Sequence, residues 1–216
     1  YDGLSLFGEK GNDADAGMVF PKDGADITSY LVDVVANPNF SNDDGASGLA
    51  AIKDGSADVL FSGTWSAADV KEALGDNYAA TQLPTFTVNG EKKQMKSFAA
   101  TKAVAYNPNA KNTKAAAQFA AYLGSTESQK LHYEMRSIPP TDKSLPDLTT
   151  DDVAAKAQSD TMANTALLQS GLSGMNDWWT PAETFGKALV NKEITKDNAA
   201  AKYQDWIDQT KGTIAE

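Results

Sequence analysis

Ile27, Tyr30, Leu31, Val34 and Val35 stand at i, i+3, i+4, i+7 and i+8, which draws one apolar stripe along a helix over residues 24–36. A stripe of this kind must be covered, so the rest of the chain has to supply a layer for the helix to lie on. Asn37-Pro38-Asn39 stops the helix, because a residue that precedes proline is pushed out of the helical region. A shorter helix is expected over Leu49 to Lys53, closed by Asp54-Gly55. Ala57-Asp58-Val59-Leu60-Phe61-Ser62 then reads as a short buried strand that runs through Gly63-Thr64-Trp65 into a helix reaching about Leu74. Tyr78 to Phe86 and Ser97 to Asn107 read as two further strands, the second centred on Ala103-Val104-Ala105-Tyr106. Val88-Asn89-Gly90-Glu91 reads as a surface turn between extended pieces.

The second half is helical. Residues 111–123 carry Ala115, Phe119, Tyr122 and Leu123 on one face, and Gly124 stands where a C-terminal cap belongs. Thr126 and Gln129 have the spacing of a capping box for the next helix, which bears Leu131, His132 and Met135 and ends at Ile138-Pro139-Pro140. Helices are also expected near 150–157, 159–170, 180–190 and 196–212. Thr180 is placed to cap the third of these and Pro181 to sit in its first turn, so Trp178 and Trp179 stand at a helix entrance.

Composition removes several classes of chemistry. The 216 residues are 41% hydrophobic and 22% charged, enough for one large or two small cores. A net charge of -10 with the 19 basic residues scattered argues against nucleic acid, which needs clustered cations. There is no cysteine, hence no disulfide and no thiolate nucleophile. His132 is the only histidine and reads as a helix-surface or packing residue, since nothing in the sequence sets a catalytic partner beside it. Asp13-x-Asp15-x-Gly17 and Asn42-Asp43-Asp44-Gly45 read as solvated turns, because neither has the alternating carboxylates and distal Glu of a calcium loop. A glycosidase stays open as the rival class, since a catalytic carboxylate pair is defined by separation in space and there are 29 acidic residues. No window approaches the eighteen or so apolar residues of a membrane span, and nothing at the start resembles a signal peptide. The run Tyr1-Asp2-Gly3-Leu4-Ser5-Leu6-Phe7-Gly8 opens without a helix cap, and the chain is expected to begin within a longer protein.

The four tryptophans carry most of the functional information. An indole face stacks on the apolar C–H face of a pyranose ring and leaves the sugar hydroxyls free for polar partners. Trp206 lies near Tyr203 and Ile207 in a helix and is expected in the core. Trp65 and Trp179 each stand where a loop meets a helix N-terminus, positions that rim clefts in α/β domains.

Four of these pieces, in this order, resemble the maltose/maltodextrin-binding family of extracellular solute-binding proteins. They are Ile52-Lys53-Asp54-Gly55-Ser56-Ala57-Asp58-Val59-Leu60-Phe61-Ser62-Gly63-Thr64-Trp65; Asn77 to Phe86 with its Leu83-Pro84-Thr85-Phe86 ending; the alanine-rich helix leading to Leu123-Gly124-Ser125-Thr126-Glu127-Ser128-Gln129; and Asp177-Trp178-Trp179. Ile52 in place of a phenylalanine and Asp58 in place of a small residue are departures that touch packing rather than binding. The resemblance implies an α/β, periplasmic-binding-protein-like (type II) architecture, mainly its C-terminal lobe, with helices packed on a small mixed sheet. Residues 1–96 and 147–216 would build that lobe, and 97–146 would belong to the N-terminal lobe of intact relatives. It also implies an oligosaccharide ligand held in an interlobe cleft, with Trp65 and Trp179 as stacking platforms and Trp178 as their neighbour. An ABC transporter permease would be the partner and no cofactor would be needed. The location would be extracellular or periplasmic, with the membrane reached only through an anchor outside this chain. The alternatives are a carbohydrate-active enzyme and a protein-interaction module without a small ligand.

Overall fold

The computed structural model describes residues 3–43, 46–145 and 149–214. Tyr1 and Asp2 of the opening run, Asp44 and Gly45 of the acidic cluster and the expected boundary at 146–147 lie outside the described residues. The chain forms two compact units, one of residues 1–48, 83–99 and 165–216 and the other of 49–82 and 100–164.

The first unit holds all the strand pairing among the described residues. β1 (Ser5–Leu6) pairs antiparallel with β2 (Met18–Val19), β3 (Thr85–Val88) with β4 (Glu91–Gln94), and β5 (Ser97–Ala99) lies parallel to β6 (Ala166–Leu168). Three helices accompany these pairs: α1 (Gly24–Ala36), α7 (Asn176–Val190) and α8 (Ala199–Ile214), each packed on the other two. Leu6, Phe7, Met18, Met175 and Trp178 make the buried centre, with Phe20, Phe98, Leu167 and Trp206 among the side chains packed against it. Phe7 reaches that centre with a left-handed φ of 59°, a conformation that costs a bulky residue energy and persists only under strong packing. Its backbone is held at both ends, the N–H donating to the Gly17 carbonyl at 2.7 Å and the carbonyl accepting from Asp13 N–H at 3.0 Å.

The expected stripe on α1 is realised: Ile27 is buried, and Tyr30, Leu31, Val34 and Val35 are half-buried. Tyr30 stacks on Phe86 of β3 at 5.2 Å between centroids, which joins the helix to the hairpin. The turn of that hairpin is the expected Val88–Glu91 piece. Asn89 (φ 53°) and Gly90 (φ 79°) are both left-handed, as a tight two-residue hairpin turn demands. Asn89 Nδ2 donates to Asp26 Oδ2 at 2.8 Å, and Lys93 Nζ lies 2.8 Å from both Asp23 and Glu91 carboxylates. Those two hydrogen bonds, the Asp23 one first, hold the Lys93 ammonium well above its ordinary range.

The second unit contains most of α2 (Ser47–Asp54), together with α3 (Ala67–Leu74), α4 (Thr113–Leu123), α5 (Thr126–Arg136) and α6 (Val153–Asn164). Here the strand expectations are corrected. Residues 57–62 form no strand, the 78–86 strand is confined to its last two residues as the start of β3, and the 97–107 strand ends at Ala99. Strand-prone side chains do not make a strand without a ladder partner, and none of the described residues pairs with these segments. The capping box also moves. Ser125, one residue before Thr126, is the N-cap, its Oγ accepting from Ser128 N–H at 3.2 Å. Gln129 instead turns outward, its Oε1 accepting from the N–H groups of Thr141 and Asp142 at 2.9 and 3.0 Å. Helices 150–157 and 159–170 are one helix, α6, because Gln158 between them is no breaker. The residues after it are drawn into β6 by their parallel partner β5. α7 begins at Asn176 rather than at Thr180, so both tryptophans are inside its first turn and Pro181 is within the helix.

Gly24 offers a direct test of the first unit. Tyr203 lies across it, its hydroxyl donating to the Pro21 carbonyl at 2.7 Å, and a Cβ built on Gly24 would stand 1.8 Å from the Tyr203 ring. Gly24→Ala must therefore displace a buried aromatic ring, and urea denaturation should show a loss of about 1–3 kcal/mol or more. Unchanged stability would mean that Tyr203 does not seat on α1.

Candidate functional site

Trp178 and Trp179 follow one another in the first turn of α7, yet their environments are opposite. Trp178 is 8% exposed and meets Phe20, Phe98 and Trp206 at centroid distances of 6.1, 6.0 and 5.2 Å. Trp179 is 44% exposed and is braced on one side by the edge of Phe98 at 5.3 Å. Phe98 of β5 thus touches both indoles, a role that sequence could not give it because the β5–β6 pairing that fixes its place joins residues far apart in the chain. Trp206 lies in the same aromatic cluster, with Phe20 at 5.1 Å and Phe185 at 5.0 Å, in keeping with its expected core role.

Trp65 belongs to the other unit. It is 83% exposed and sits in a single 3₁₀ turn, Thr64–Ser66, that leads directly into α3. Its ring lies over Gly63, where an added Cβ would come within 2.2 Å of the indole. The glycine is therefore the seat of the ring, an orienting function beyond the turn that its place before a helix suggested. The hydroxyls of Ser62 and Ser66 share a hydrogen bond at 2.9 Å across the same turn.

The titratable groups give little sign of acid–base machinery. His132 is exposed on α5. Asp13 Oδ1 accepts from the N–H groups of Asp15 and Ala16, both at 3.1 Å, and Asp43 Oδ1 accepts from Gly48 N–H at 3.0 Å, so each carboxylate organises its own turn. Among the described residues no group of three or more acidic or histidine side chains converges as a metal site would require. In the second unit the Tyr133 hydroxyl donates to Asp152 Oδ2 at 2.8 Å, while Asp152 Oδ1 accepts from Ala155 N–H at the start of α6. Partial burial first, then the hydrogen bond and the charge of Asp152, push the Tyr133 phenol up to about 12. Tyr78 is raised as well, by burial and by the same carboxylate. The cluster is structural in kind: it ties α5 to the cap of α6.

Among the described residues two indoles of contrasting setting are thus exposed, Trp179 against the edge of Phe98 and Trp65 over Gly63. A sequence profile of bacterial extracellular solute-binding proteins matches residues 2–164, and the chain belongs to that family. A solved structure with acarbose is similar over 99% of this chain, with 37% identity and a TM-score of 0.88. The maltodextrin binding protein MalE1 from L. casei BL23 without ligand is similar over 96%, with 22% identity and a TM-score of 0.79. The maltose-binding periplasmic protein MalE from Listeria monocytogenes in complex with maltose is similar over 99%, with 20% identity and a TM-score of 0.71. The last two share the fold, in line with the periplasmic-binding-protein-like architecture expected from sequence. The chain spans 57%, 57% and 55% of these three structures' own lengths. No curated protein sequence matches it.

Two measurements follow from this geometry. Trp178→Ala empties the centre of the first unit and should cost about 3–5 kcal/mol in denaturant unfolding, while Trp179→Ala should cost about 1 kcal/mol or less. Equal losses would show that the two indoles are not divided between core and surface. The Tyr133 phenol must stay protonated to donate to Asp152, so its contribution to stability is complete below the ordinary tyrosine value of about 10 and is lost as pH rises through about 12. Alkaline absorbance titration should show a late phenol near that value, and Tyr133→Phe should remove it.

Proposed function

We propose that this chain is the ligand-binding part of an extracellular sugar receptor: it binds an oligosaccharide of the maltodextrin type and hands it to an ABC importer without chemical change. The observation that carries the reading is the pair of exposed, seated indoles, Trp179 braced by Phe98 and Trp65 laid on Gly63. An aromatic face held in place before the ligand arrives binds a pyranose at little ordering cost. Trp178 acts behind Trp179, through the Phe98 that both touch. Support for the ligand class comes from the solved relatives with acarbose and with maltose. Residues 1–96 and 147–216 are assigned to the C-terminal lobe of the whole protein and 97–146 to its N-terminal lobe, a division distinct from the compact units of this chain. The protein is a non-enzyme that works outside the cytoplasm, held near an ABC permease by an anchor outside this chain.

The test is a titration of tryptophan fluorescence with maltose, longer maltodextrins and acarbose. It is run on this chain alone and on a fusion completed with the segment of the acarbose-bound relative that the chain leaves unmatched. A saturable change is expected, weakened about ten-fold by Trp65→Ala and by Trp179→Ala, with the sugar recovered intact. Silence across the panel from a folded fusion would overturn the oligosaccharide assignment, and cleaved sugar would move the reading to a glycosidase.

A further inference from the structure

Asn89 is followed by Gly90, whereas every other asparagine of the chain is followed by a residue with a side chain. The pair forms the exposed tip of the β3–β4 hairpin. A glycine in this position leaves its backbone nitrogen unshielded beside the asparagine side-chain amide, because it carries no Cβ. The same amide fastens the hairpin to α1: Asn89 Nδ2 donates to Asp26 Oδ2 at 2.8 Å, across 63 positions of chain. Asp23, three positions before Asp26, and Glu91, two positions after Asn89, hold Lys93 Nζ between their carboxylates at 2.8 Å each. Carboxylates therefore gather where the hairpin meets the helix, and Asn89 joins them as a neutral donor.

We propose that Asn89 is a self-modification site, whose conversion to aspartate or isoaspartate removes a fastening between the β3–β4 hairpin and α1. The Gly90 backbone nitrogen gives up its proton to hydroxide and attacks Asn89 Cγ. The new N–Cγ bond forms as the Cγ–Nδ2 bond breaks, and the amide nitrogen leaves as ammonia after taking a proton back from water. Water then opens the five-membered imide: cleavage at Cγ gives aspartate, and cleavage at the main-chain carbonyl of residue 89 gives isoaspartate. No oxidation state changes, and water is the only reactant added. The carboxylate that results accepts hydrogen bonds and cannot donate, so the contact with Asp26 is lost and two like charges face each other. Isoaspartate also adds a carbon to the main chain of a tight turn in which Asn89 (φ 53°) and Gly90 (φ 79°) are both left-handed. The Tyr30–Phe86 stack and the Lys93–Asp23 ion pair remain, so the effect is a local loosening of the hairpin rather than unfolding. Until conversion the Asp26 contact holds the Asn89 side chain toward α1, and reaction starts from the minor population in which that contact is open.

The test incubates the full chain at mildly acidic and mildly alkaline pH and follows each asparagine by peptide mass spectrometry, with isoaspartate read by enzymatic methylation. Asn89 is expected to convert ahead of every other asparagine, to give both acids, and to convert faster on the alkaline side, where the Gly90 nitrogen loses its proton more readily. Asp26→Ala should speed the conversion about three-fold, the population that an exposed hydrogen bond to a carboxylate holds back. Asn89→Asp should make amide exchange across Thr85–Gln94 about three-fold faster while the circular dichroism of the chain is kept. Adding Asp26→Asn to that variant exchanges donor and acceptor and should return the exchange to its parental rate. An Asn89 that stays intact while Asn39 or Asn109 converts would overturn the proposal, as would a rate that Asp26→Ala leaves unchanged. Parental exchange in Asn89→Asp, or no rescue by the double variant, would show that the amide is not a fastening and would overturn it equally. Because no sugar enters these measurements, their outcome is separable from that of the fluorescence titration.

Discussion

The first unit depends on the burial of Trp178. Its indole meets Phe20 from the segment after β2, Phe98 from β5 and Trp206 from α8, so residues from four distant stretches of chain share one contact. Aromatic pairs at these separations add orientation to the area they remove from water, which makes the cluster selective as well as cohesive. No stretch of the unit can bury its apolar face alone: β1 and β2 are two residues each, and α1 needs α8 and the hairpin beneath it. The excursion of residues 49–82 and 100–164 out of this unit is possible because the cluster, rather than chain continuity, holds the returning segments together.

The position of Trp179 is a consequence of that burial. Successive residues of an α-helix are turned by about 100°. Once Trp178 is directed into the core, its neighbour must lie toward the rim, where Phe98 receives its edge. A surface platform of the kind proposed for Trp179 needs no dedicated loop. It inherits rigidity from the core side chain beside it, which is the condition for stacking on a ligand without a large ordering cost.

What could be read from the sequence divides along physical lines. The stripe of α1, the bounds of α4, the Asn89-Gly90 turn and the core place of Trp206 were legible, because periodicity, capping and left-handed turn residues act within a few positions of the chain. The start of α7 was misplaced because Thr180-Pro181 satisfies the local rules for a helix entrance, yet the packing of Met175 and Trp178 in the core draws the helix back to Asn176. The extent of the strands was not legible either. Leu167 joins β6 through pairing with Phe98, 69 positions away in numbering, while Val104 and Phe61, with better strand propensity, have no partner and join nothing. Of the candidate site, the indoles were visible as residue types at loop-to-helix junctions, but their seats, Phe98 and Gly63, were not, since a seat is defined by contact.

Exposure alone does not single out the two indoles proposed to meet the sugar. In the first unit Val19 and Leu168 are at least as exposed as Trp179, and what sets Trp179 apart from them is the Phe98 ring braced against its own. In the second unit Val59, Phe61, Phe119 and Met135 are also exposed, and Trp65, at 83%, follows the trend of its unit. What separates Trp65 from them is the glycine beneath its ring. A side chain that meets a small ligand gains from being held beforehand. Gly63 is therefore the residue on which the functional reading of Trp65 turns. Its replacement by alanine would unseat the ring while leaving the exposed apolar surface of the unit as it is.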